Sequence, residues 1–269
     1  MKEKKIAELP KNKEEDMNAC KVILLFVLIV SCWNCAEPEF GIEDEMLPDT
    51  ELYLVDDGLT VDQLLVENTD VAFQRATGKI LNSEIGRKLL VLVKRYNKDR
   101  PFIRFTAIPD QNGDPVHGYG MMVMKYAGCG EIRYNFDAWK SEYNDGPLFH
   151  EFFHMYQNEN QPPLKSRNNE VEAYVAQYLY SDPESSGIFI ELFDERFHAC
   201  IVRLAKQINK RTGCFKNRVD VEKFYNDYQE ALDWLANHPD YSGEGWFENR
   251  DYRTNYPFPN LVKLLKESK

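Results

Sequence analysis

The chain has 269 residues, with 33 Lys+Arg against 44 Asp+Glu and a formal net charge of −11 at pH 7. This excess of negative charge repels nucleic acid phosphates and anionic lipid headgroups, so neither is expected as a partner. Its hydrophobic content of 43% suffices for one domain with a real core, and no repeat or low-complexity tract is visible.

Val22-Ile-Leu-Leu-Phe-Val-Leu-Ile-Val30 is an apolar run too short to span a bilayer but right for the core of a signal peptide. It runs into Ile29-Val30-Ser31-Cys32, which resembles the lipobox of bacterial lipoproteins, where the chain is cut before a cysteine that carries lipid. The resemblance implies a signal peptide over 1–31, lipidation of Cys32, and attachment to the membrane only through that lipid. Met17-Asn18-Ala19-Cys20-Lys21 makes an ordinary short basic lead-in, so translation is expected to start at Met17. Cys32-Trp33-Asn34-Cys35 also reads as C-x-x-C, but no second pair or βαβ pattern supports a zinc or redox site there. Residues 32–51 are acidic, contain proline and lack sustained periodicity, which describes a tether.

The remaining domain, 52–269, starts with helical patterns near 60–75 and 82–97. Extended segments follow near 102–108, 118–126 and 131–136. Asp110-Gln111-Asn112-Gly113-Asp114 is a turn signal that would join the first two strands as a hairpin. Gly130–Phe136 would then be an edge strand to which an extended peptide could add. Further helices are expected from Gly146-Pro147, where proline suits an early helical position, and at about 168–181, 190–210, 219–237 and 258–268.

His150-Glu151-Phe152-Phe153-His154 carries the chemistry. On a helix, positions i and i+4 stand about 40° apart, so one metal ion can meet both imidazoles while Glu151 reaches a water beside it. Zinc lowers the pKa of such a water from about 15.7 to about 7, and a carboxylate can take its proton as it attacks a carbonyl. With only five histidines in the chain (117, 150, 154, 198 and 238), composition alone yields such a string in about 1% of cases. The plain alternative is an amphipathic helix whose two histidines are satisfied or solvated.

A catalytic zinc needs a third protein ligand. Asn168-Asn169-Glu170-Val171-Glu172-Ala173-Tyr174 opens the next helix and resembles the gluzincin pattern, in which a glutamate three residues before an alanine completes the site. That resemblance implies Glu170 as ligand, with Glu172, about 200° round the helix, as the alternative. Ala173 and Ala176 would allow the two helices a close approach. The position after His154 that a metzincin fills with a third histidine holds Asn160. Tyr174 stands where thermolysin-like enzymes place an aspartate that supports the first histidine, so such support must come from elsewhere. Gluzincins often supply an oxyanion donor C-terminal to the third ligand. In the glycine- and aromatic-rich stretch 241–256, Tyr252 and Tyr256 are the nominees.

Of the other histidines, His198 suits a local pair with Asp194 or packing, His238 a helix end, and His117 an exposed turn. Cys200 and Cys214 form either a disulfide across a helix and its following loop or two buried thiols.

Together these features predict an α+β, zincin-like domain: a small mixed or antiparallel sheet ahead of the H-E-x-x-H helix, and a mainly helical C-terminal lobe. The resemblance implies a zinc metallopeptidase with one Zn2+, acting on a peptide or protein and lipid-anchored in a bacterial cell envelope, on the periplasmic or surface face of the outer membrane. Two other readings fit the same residues. One is a zincin-fold binding or scaffold lipoprotein without turnover; the other is a zinc hydrolase of a non-peptide amide such as a cell-wall bond.

Overall fold

The computed structural model describes residues 58–96, 102–109, 112, 124–128, 130–135, 145–160, 165–181, 194–250 and 257–266. The expected signal peptide, Cys32, the tether, His117, Tyr252 and Tyr256 lie outside the described residues. No helix among the described residues is long and apolar enough to cross a membrane.

The domain is α+β and mostly helical. Helices α1 (Val71–Asn82) and α2 (Glu84–Tyr96) precede strands β1 (Arg104–Ala107), β2 (Met124–Gly128) and β3 (Glu131–Tyr134). Five helices follow: α3 (Asp145–Asn160), α4 (Arg167–Tyr180), α5 (Glu195–Gln207), α6 (Val221–Asn237) and α7 (Pro259–Lys266).

The helix expected over 60–75 is replaced by a short 3-10 turn at Val61–Gln63 and, after a break, by α1. The break has a physical cause. Leu64 O and Val66 N are bonded to the backbone of Ile103, Asn68 takes a left-handed φ of 69°, and Asp70 caps α1 by accepting from Ala72 N at 2.6 Å.

The sheet order is β1-β3-β2, so the expected hairpin between the first two strands does not form. β1 runs parallel to β3, pairing Arg104 with Glu131 through Ala107 with Tyr134, whereas β2 and β3 are antiparallel. An all-antiparallel sheet is therefore excluded. Gly130, at φ 74°, supplies the positive φ that leads into β3. β3 is consequently the central strand rather than an edge. Both of its backbone sides are used and Ile132 is fully buried, so no peptide can add to it.

α3 and α4 form the centre of the molecule. α3 buries Leu148, Phe149, Phe152, Phe153, Met155 and Tyr156, so apolar groups surround most of the helix, as expected of an internal one. α4 buries every residue from Val171 to Tyr178. Contacts at both ends show the two helices to be antiparallel: Tyr180 OH donates to Asp145 at 2.9 Å, and Gln157 Nε2 donates to Asn169 O at 3.0 Å. A Cβ on Gly146 would come within 3.2 Å of Gln177 Nε2, so glycine lets the helices close at this end. Ala173 and Ala176 are both fully buried.

The C-terminal lobe packs α5 and α6 against α4, and α7 against α2 and α4. His238 caps α6, its ring stacked on Trp234 at 4.6 Å. Cys200 and Cys214 are free thiols rather than a disulfide. Each has its own contact: Arg203 Nη2 lies 3.1 Å from Cys200 Sγ, and Cys214 Sγ lies 3.6 Å from Thr212 O.

Candidate metal centre

α3 delivers His150 and His154 one turn apart, and the first turn of α4 delivers Glu170 against them. One potential ligand atom from each of the three lies within 4.8 Å of the others. The two Nε2 atoms are 2.8 Å apart, and Glu170 Oε2 stands 3.5 Å from that of His150 and 3.4 Å from that of His154. Tetrahedral ligands about 2.0–2.1 Å from zinc are about 3.3–3.4 Å from one another. Both carboxylate distances match this, and the imidazoles need to part by about half an ångström. Two imidazole nitrogens and a carboxylate are also the donor set that zinc favours, so the residues fit a zinc ion.

The electrostatics describe a site that holds one positive charge. Burial, then the charge of His154, lowers the His150 pKa to about 4, and Glu170 opposes both. Burial would also lower His154, but the charge and hydrogen bond of Glu170, helped by Glu151 and Gln157, push it to about 9. Burial would raise Glu170, yet the charge of His154 and the hydrogen bonds from both imidazoles bring it to about 2. These opposed shifts favour a single proton on His154, between His150 and Glu170. A divalent cation serves the same geometry better, because it attracts both imidazole lone pairs together.

Glu151 is buried beside the cluster, and its negative charge raises the pKa values of His154, Tyr174 and Tyr241. Glu172 is buried too, but on another side of α4. Its Oε1 accepts from Leu261 N at 2.8 Å, and its Oε2 from Asn260 Nδ2 at 2.8 Å and Gln157 Nε2 at 3.1 Å. Burial raises its pKa, and these bonds offset only part of the rise. Of the two glutamates, Glu170 is the one in the group that could hold a metal ion, while Glu172 bonds to the N-terminus of α7.

Two tyrosines that motif reasoning passed over border the cluster. The Tyr174 ring lies 4.3 Å from that of His150, and its hydroxyl is 2.8 Å from the hydroxyl of Tyr241. Burial first, and then neighbouring negative charge from Glu170 and Glu151, keeps both phenols protonated far above neutral pH. Tyr241 comes from the loop after α6, which is fastened to the start of α4. Arg167 donates to Tyr241 O at 3.1 Å and to Glu248 at 3.3 Å, and Asn168 exchanges hydrogen bonds with Asn249 at 2.9 and 2.7 Å. Tyr241 opens the aromatic-rich stretch seen in the sequence, so the stretch was the signal. Which tyrosine faces the cluster depends on these long-range bonds. Among the described residues His198 and His238 lie outside the cluster.

Compared with protein-family models, with curated proteins and with solved structures, the chain finds no match.

Proposed function

We propose that this chain is a zinc-dependent peptidase of gluzincin type, anchored to a bacterial cell envelope through a lipid on Cys32. The observation that carries the reading is the meeting of His150, His154 and Glu170 on two packed helices, with Glu151 buried beside them. The anchor rests on the lipobox-like Ile29-Val30-Ser31-Cys32 alone.

His150, His154 and Glu170 would hold the ion. Zinc, when bound, polarises the scissile carbonyl and acidifies a water. Glu151 takes a proton from that water as its oxygen bonds to the carbonyl carbon. It returns the proton to the amide nitrogen as the carbon–nitrogen bond breaks, so two peptides leave and Glu151 is again a carboxylate. The hydroxyl of Tyr174 or of Tyr241 is suited to donate to the oxygen that gains charge in the tetrahedral intermediate. Because β3 is internal, an extended substrate would have to pair with one of the outer strands or bind without strand addition.

The test combines zinc stoichiometry by elemental analysis with a peptide-library screen on the purified chain and its Glu151→Gln variant. About one zinc per chain in both, with hydrolysis reduced about 10²- to 10⁴-fold in the variant, is the expected result. Zinc without hydrolysis in either protein would turn the assignment to a binding protein. Hydrolysis that survives in Glu151→Gln would remove Glu151 as the base.

A further inference from the structure

The cluster shows an asymmetry between its two histidines that ligand spacing does not explain. Nδ1 of His150 is buried without a hydrogen bond of ordinary geometry, although the Gln177 side chain lies close enough to act on the ring. Nδ1 of His154 lies 2.8 Å from Gln157 Oε1. The orientation of the Gln157 amide is fixed by its other end, because Asn169 O can only accept a hydrogen bond. Nε2 of Gln157 must therefore face Asn169 O, at 3.0 Å, and its second proton goes to Glu172 Oε2, at 3.1 Å. This leaves the amide oxygen toward His154, whose Nδ1 has to carry a proton, and a neutral His154 then presents its Nε2 lone pair to Glu170 and His150.

Glu172 is in turn fixed from outside the two central helices. Leu261 N and Asn260 Nδ2 hold its two oxygens, and both come from the first turn of α7. The first N–H groups of a helix have no partner within it, and the buried carboxylate supplies one here. α7 is seated closely in its own right, since a Cβ on Gly213, at φ +70°, would stand 2.8 Å from Val262 Cα. Gln157, Glu172 and Asn260 are all buried, so no water competes for these bonds.

We infer that Gln157 and Glu172 are positioning residues that hold His154 in its Nδ1–H tautomer, and that α7 anchors them, so that the affinity of the centre for zinc depends on a C-terminal helix that contributes no ligand. The statement about zinc rests on the reading of the cluster as a metal centre; the statement about the tautomer does not.

Two measurements on the full chain separate these. In the first, long-range proton–nitrogen NMR of histidine-labelled, chelator-treated protein is followed to the pH at which the ring-nitrogen shifts themselves show His154 neutral, and reports which ring nitrogen carries the proton. The Nδ1–H form should dominate in the parent chain, and Gln157→Leu should shift the population toward Nε2–H. In the second, zinc affinity is measured by competition with a chromophoric chelator, and Gln157→Leu should weaken it about 10- to 100-fold. Gly213→Ala, which displaces α7 without touching the relay or the ligands, should move both readouts in the same direction as Gln157→Leu. Asn260→Leu replaces it if that chain does not fold.

An unchanged tautomer in Gln157→Leu overturns the relay. Tautomer and zinc affinity both unchanged in the α7 variant overturn the role of that helix. If the parent chain binds no zinc yet holds the Nδ1–H form and loses it on Gln157→Leu, the relay stands and the metal-centre reading falls.

Discussion

Two sides of α4, separated by two residues of sequence, put a carboxylate to opposite uses. On one, Glu170 meets two imidazoles: burial and the charge of His154 lower His150 to about 4, while Glu170 raises His154 to about 9 against its own burial. On the other, Glu172 receives hydrogen bonds from Gln157, Asn260 and Leu261, and no titratable cation faces it among these contacts. The first arrangement has donors that compete for one proton and converge on a point. The second has a donor for each lone pair it uses. An acidic pair in a sequence thus divides into ligand and scaffold by what faces each residue, and the variants below test that division.

The largest effect should come from Glu170→Gln. Removing the only charged ligand is expected to weaken zinc binding more than 100-fold and to abolish the rise in Tm that zinc gives the parent chain, read by chelator competition and calorimetry. Glu172→Gln should retain part of that rise. Equal losses in the two variants would mean that Glu172 is also a ligand and that its bonds to α7 give way when the ion binds.

Without zinc, Glu172→Gln should still carry a cost of its own. A glutamine cannot accept at both ends, so Glu172→Gln opposes either Leu261 N or the Gln157 and Asn260 amides with a donor. The expected cost is about 2 kcal/mol, or about 4–8 °C in Tm for a domain of this size. A chelator-treated Glu172→Gln chain that melts with the parent would mean that α7 does not depend on this carboxylate.

Much of this was legible in the sequence, and the parts that were not share a cause. His150, His154 and Glu151 follow from spacing along one helix, and the helices from 82 onward that are described follow from their periodicity within a few residues. The central place of β3, the break between Leu64 and Val71 and the presence of Tyr241 at the cluster were not legible, because each is fixed by a partner far along the chain. Strand order depends on which edge Arg104–Ala107 pairs with, and no turn signal encodes a parallel pairing. Support for His150 was sought four residues after Glu170, where Tyr174 stands, whereas the side-chain support seen is that of His154, from Gln157 on the histidine's own helix.

The opposed shifts of the two histidines predict a pH profile for the zinc-free chain. His150 is lowered from 6.5 to about 4, so the unfolded chain binds more protons in that interval and stability falls as pH drops through it. His154 is raised from 6.5 to about 9, so its contribution is full below 6.5 and is lost as pH rises toward 9. The cluster should therefore be most stabilising near pH 6.5. Glu170, lowered from 4.5 to about 2, adds a further loss only below pH 4.5. Zinc removes the proton from His154, so saturating zinc should flatten the alkaline side of the profile and release about one proton per ion near pH 7.5, measurable by calorimetry in buffers of different ionisation enthalpy. A chain whose stability rises steadily from pH 6 to 9 without zinc would show that His154 is not the protonated member.

The smallest effect on stability belongs to the pair of hydroxyls beside the centre. Tyr241→Phe removes one end of the 2.8 Å contact with Tyr174 while leaving the ring in place and the bonds from Arg167 to the loop intact, since Arg167 binds the backbone oxygen of Tyr241 and the Glu248 carboxylate. The expected loss in denaturant unfolding is about 1 kcal/mol, with zinc affinity unchanged, because neither tyrosine belongs to the group of ligands. A loss of zinc affinity on Tyr241→Phe would break the comparison from the other direction. It would place the loop after α6 among the groups that hold the ion, and the centre would then have a fourth protein ligand, which closes the position that a hydrolytic water requires.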